Sequence, residues 1–199
     1  MGSAHTGNAC TNRVSPSVDV SGLADAPRRN APRRARQVAV PAVARARCTL
    51  PRVDYEDAFA VELSSAHVRT AEQWARAILE DAPLAMRNGL RRGWLALGLK
   101  LDAVPPERSV LGWEVRRSIR DSVLLGADSR IGMPAELLVT RQKRAVRIAT
   151  FLEHQSSAAR AMWATFERAH RRIVPRVLVQ AQGLDREYQP GQTSRTRPG

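Results

Sequence analysis

The stretch from Ser156 to Gln182, SSAARAMWATFERAHRRIVPRVLVQAQ, constrains this chain most. Ala159, Met162, Trp163, Phe166, Ile173 and Val177 recur at helix spacing and share one face. Ser156 or Ser157 can cap the start, and Gly183 stops the run. Such a helix spans roughly 35–40 Å. The residues before it read as short antiparallel strands, and a sheet with one apolar face needs a helix to cover it. The predicted class is therefore α+β.

The predicted order begins near Pro51. Phe59, Val61 and Leu63 alternate as one side of a strand, and a turn follows. Thr70 with Gln73 fits a capping box for a short helix through Trp74, Ala77 and Ile78, ending near Ala82. Pro83 suits the first turn of a second helix. Its apolar stripe is Met86, Leu90, Trp94, Leu97 and Leu101. Gly89 and Gly93 inside it each cost about 1 kcal/mol relative to Ala, and close packing of a neighbour would explain them. Asp102 to Ser109 reads as a linker. Four strands then follow, around Trp113–Ile119, Val123–Ala127, Arg130–Thr140 and Ala145–Glu153, joined by tight turns into a meander. With the first strand, the expected sheet has five strands.

The formal charge is +13. Residues 1–50 carry eight arginines against Asp19 and Asp25, with prolines and no apolar stripe, so a disordered basic extension is expected there. Residues 183–199 read as a disordered tail, leaving a domain at 51–182. Only Lys100 and Lys143 are lysines among 32 basic residues, a bias that fits GC-rich coding as well as selection for charge. Cys10 and Cys48 make no disulfide framework. With no signal-like apolar region and no run of about 20 apolar residues, a cytoplasmic protein is expected.

No catalytic motif emerges. Gly93 to Lys100 has the glycine spacing of a P-loop, but Leu99 stands where the lysine is required. Glu167 and His170 form one Glu-x-x-His without a second copy, and His5, His67 and His154 lack zinc-ligand spacing, so neither a metal nor a cofactor is expected. His170 lies about 40° from Phe166 on the helical wheel, at ~100° per residue, and so faces the sheet. It is either a core histidine satisfied by a strand backbone group or a polar anchor in an apolar pocket that Trp113 and Trp163 also line. Pro175 interrupts the helix; it either opens a pocket mouth or fits the helix to a curved sheet.

This order resembles the helix-grip fold of START-like, polyketide-cyclase-like and birch-allergen-like domains. Asp54 to Phe59, Trp74 to Ala77, Leu97 to Lys100, Gly112 to Val115, Val123 to Ser129, Trp163 to Phe166 and His170 to Pro175 resemble a bacterial family, domain of unknown function 2867. The resemblance covers about residues 50–181 and implies a ligand held between sheet and terminal helix. The leading expectation is binding of a small apolar or amphipathic molecule near Trp113, Trp163, Phe166 and His170. A cyclase- or hydratase-type enzyme using His170, and nucleic-acid or anionic-surface binding through the basic arm, are the alternatives.

Overall fold

The sheet is apolar on both of its faces, and this arrangement accounts for most of the fold. The computed structural model describes residues 34–63 and 69–187. The chain divides into two units, Met1–Pro32 and Arg33–Gly199, of which the first lies outside the described residues. The strands are β1 (Arg36–Val38), β2 (Tyr55–Glu62), β3 (Ser109–Val110), β4 (Trp113–Ile119), β5 (Ser122–Ala127), β6 (Ala135–Gln142) and β7 (Ala145–Leu152). They form one antiparallel sheet in the order β1-β2-β7-β6-β5-β4-β3. The helices are α1 (Ala42–Arg45), α2 (Ala71–Leu79), α3 (Leu84–Ala96) and α4 (Ser157–Glu187). No helix among the described residues is long and apolar enough to cross a membrane.

Alternation assigns the faces. Phe59, Val61, Val123, Leu125, Leu137, Val139, Val146 and Ile148 turn to one side and pack with α2 and α4. Ala58, Leu124, Leu138, Ala149 and Phe151 turn to the other and meet Val38, Val40, Ala44, Cys48 and Leu50. The second face corrects the expected architecture in two respects. The sheet has seven strands rather than five, because β1 and β3 are too short to show as alternating runs. Order also begins before Pro51: residues 34–50 form a strap over the outer face instead of part of a disordered extension.

Polar contacts fix the strap. Glu136 on β6 is 0% exposed. It accepts from the Thr49 amide at 2.8 Å, from the Thr49 hydroxyl, and from Arg116 at 2.7 Å. Arg116 sits where the β4–β5 register shifts, and its side chain lies over Gly126, where any Cβ would meet it at 2.0 Å. Arg45 pairs with Glu56, Arg47 donates to Ser122, and Arg36 lies 3.8 Å from Glu62. Three arginines of the expected basic arm are thus engaged on the domain. Arg13, Arg28, Arg29 and Arg33 lie outside the described residues, as do Cys10, the turn after Leu63 and the tail beyond Glu187.

Local signals place the helices. The Thr70–Gln73 capping box is present, with bonds of 2.8 and 3.2 Å. The Ser156 hydroxyl accepts from the Ala159 amide at 3.0 Å and starts α4. α4 continues through Gly183 to Glu187, so that glycine does not stop it. α3 ends earlier than its stripe predicts. Gly98, at φ 72°, donates to Leu95 and Leu99 donates to Trp94, closing a Schellman motif that releases Leu101 from the helix. α4 also runs on through Pro175, so the expected interruption there does not occur.

Phe151, 0% exposed under the strap, should cost roughly 3–5 kcal/mol when changed to Ala. A chain starting at Pro51 should melt several degrees lower than one starting at Arg34, since ~1 kcal/mol moves the midpoint by about 2–4 °C at this size. Equal midpoints in differential scanning calorimetry would show that the outer face needs no cover.

Candidate functional site

α3 buries none of its thirteen residues fully. It stands off from the sheet and leaves a cavity of about 590 Å³ between itself, α4 and the inner face. Met86, Leu90 and Trp94 form the α3 wall. Ala135, Leu137, Thr150 and Leu152 form the floor. Trp163, Phe166, His170 and Ile173 form the α4 wall, and Trp113 closes one side against Trp94, with the rings edge to face at 5.3 Å. The four residues expected from the sequence, Trp113, Trp163, Phe166 and His170, therefore line one cavity.

Gly89 and Gly93 also line it, and a Cβ on either would meet nothing within 4 Å. The expected close packing against these glycines is absent. They keep the cavity wall low instead. Phe166 is half-buried as part of that wall rather than a filled core position.

At one point the apolar lining gives way to polar groups. Asp57 on β2 and Thr150 on β7 are cross-strand partners facing inward, and α4 lowers His170 onto them. His170 Nε2 is 3.3 Å from Asp57 Oδ1, 3.2 Å from Oδ2 and 3.3 Å from Thr150 Oγ1. The Tyr55 hydroxyl donates to Asp57 Oδ2 at 2.7 Å. Tyr55 and Trp163 stand edge to face at 4.7 Å, and Trp163 meets the imidazole at 5.2 Å, which holds the ring in place. Satisfaction of His170 thus comes from side chains rather than from a strand backbone group. Glu167 turns away to Arg171 at 2.7 Å, so it does not join His170.

Burial pushes the Asp57 carboxyl upward. The hydrogen bond and charge of His170, with the hydroxyls of Tyr55 and Thr150, outweigh it and hold Asp57 below the usual carboxylate range. Burial also raises the Tyr55 phenol, which stays protonated as a donor. The tautomer that directs Nε2–H at the carboxylate leaves Nδ1 as the acceptor nitrogen of the ring. The arrangement can bind an apolar molecule and supply one acid–base group at its edge.

Asp57 escaped the sequence reading, although it shares the parity of Phe59 and Val61 and so falls on their apolar side. Thr150 likewise shares the parity of Val146, Ile148 and Leu152, but only the β2–β7 register brings it opposite Asp57. The indole nitrogens of Trp113 and Trp163 are buried without a partner among the described residues.

Because the folded Asp57 pKa is depressed, its contribution to stability is complete above the unfolded carboxylate pKa of about 4 and is lost as pH falls through the folded value. Asp57→Asn should flatten that part of the acid limb in denaturation measured from pH 6 to pH 3. His170→Ala, which leaves the buried carboxylate short of a donor, should cost roughly 1–3 kcal/mol. Matching acid limbs in the wild type and Asp57→Asn would remove Asp57 from the account.

No family model, curated protein or solved structure matches this chain.

Proposed function

We propose that the protein binds a small apolar or amphipathic molecule in the cavity between α3, α4 and the sheet, as a helix-grip domain of the kind its sequence resembles. The observation that carries this reading is the cavity itself. At about 590 Å³ it falls within the ~300–1,000 Å³ of small-molecule sites, and its walls are mainly aliphatic and aromatic with a few polar groups converging at one side. Two glycines keep one wall low at a cost to helix stability. Two buried indole N–H groups in the lining have no acceptor among the described residues.

A second reading, an enzyme of cyclase or hydratase type, is favoured by the Asp57–His170 pair. A carboxylate that fixes one imidazole nitrogen leaves the other for proton transfer, as general acid–base catalysis requires. Binding is preferred because an apolar cavity is sufficient for it, whereas a reaction needs a full constellation of groups around the reacting atom, of which the Asp57–His170 pair is one part.

Filling the cavity separates binding from stability. Gly89→Ala and Gly93→Ala should each stabilise by up to about 1 kcal/mol, since their Cβ atoms enter open space on a helix. Gly93→Phe should keep the thermal midpoint and abolish the fluorescence rise of a neutral apolar dye such as Nile red. Dye binding unaffected by Gly93→Phe would place the bound molecule elsewhere and sink this reading.

A further inference from the structure

We infer that the cavity takes an amphipathic acid, with its apolar body inside and its carboxylate at the mouth between Arg172 and Arg176. This rests on the binding reading above and adds the chemical class of the ligand. Both arginines line the cavity and both are exposed, so they stand where it meets solvent. They lie four residues apart on α4, on one side of the helix. Their neighbours are engaged elsewhere: Arg171 with Glu167 at 2.7 Å, and Arg91 with Asp102 at 2.6 Å. Neither Arg172 nor Arg176 makes an ion pair among the described residues, and no Asp or Glu lines the cavity. Like charges one helical turn apart repel, and an anion held between them removes that repulsion. A guanidinium fork matches the two oxygens of a carboxylate, whereas a cationic ligand would meet two positive groups on entry.

The test compares decanoate with decan-1-ol by isothermal titration calorimetry at low salt, below the aggregation limit of either. The wild type should prefer decanoate by roughly five- to tenfold, and the preference should shrink as salt rises, because these arginines are solvent-facing. In R172Q/R176Q, checked for an unchanged thermal midpoint, the preference should fall to about one. Gly93→Phe should block both ligands. Equal affinity for acid and alcohol in the wild type overturns this inference and leaves the cavity reading standing. A preference that survives in R172Q/R176Q overturns it too, because the carboxylate is then recognised elsewhere. Failure of both molecules to bind removes the cavity reading and this inference with it.

Discussion

Water must be kept off both faces of the sheet. β5 is buried at every residue, and Leu124, Leu138 and Phe151 point away from the helices as firmly as Leu125 and Leu137 point toward them. Each such side chain contributes about 1.5–3 kcal/mol when removed from water. α2 and α4 cover the inner face. The outer face is closed by residues 34–50, a strap with a three-residue strand and a single helical turn. Neither piece could hold its shape alone. They persist because the sheet beneath them is apolar and because Glu136 binds the end of the strap.

Two buried carboxylates follow the same rule on opposite faces. Glu136 is satisfied by Thr49 and Arg116, and Asp57 by His170, Tyr55 and the neighbouring Thr150. In each case a charge on a strand recruits a donor from a distant segment, and removing that donor would leave the charge uncompensated. Glu136 thereby fixes the strap, and Asp57 fixes the rotation of α4 at His170. The position of α4 in turn sets one wall of the cavity.

The cavity exists because α3 does not complete the inner cover. Its aromatic contact, Trp94 on Trp113, and the Arg91–Asp102 pair hold its C-terminal half, and the Schellman motif at Gly98 turns the chain back toward the sheet. Its glycines face the open space. A helix with leucines at those two positions could fill the gap and make an ordinary core. The absence of side chains there leaves room beside an imidazole held by a buried carboxylate.

The sequence by itself determined the α4 helix, the capping box at Thr70, the parity of the main strands and the inward direction of His170. Each is a local periodicity or a contact within one helical turn, and such signals need no knowledge of the rest of the chain. Strand parity led to the expectation of one apolar face, although the consecutive apolar residues Val123-Leu124-Leu125 and Leu137-Leu138-Val139 leave no polar side on those strands. What covers the second face was decided only by tertiary structure, because residues 34–50 have no pattern of their own and order only by packing. The same holds for the site. Trp113, Trp163, Phe166 and His170 were legible as apolar-face residues, but their partners Asp57 and Thr150 meet through a β2–β7 pairing about 90 residues apart in the chain. That register is set by the pairing of whole strands, so no short stretch of sequence carries it.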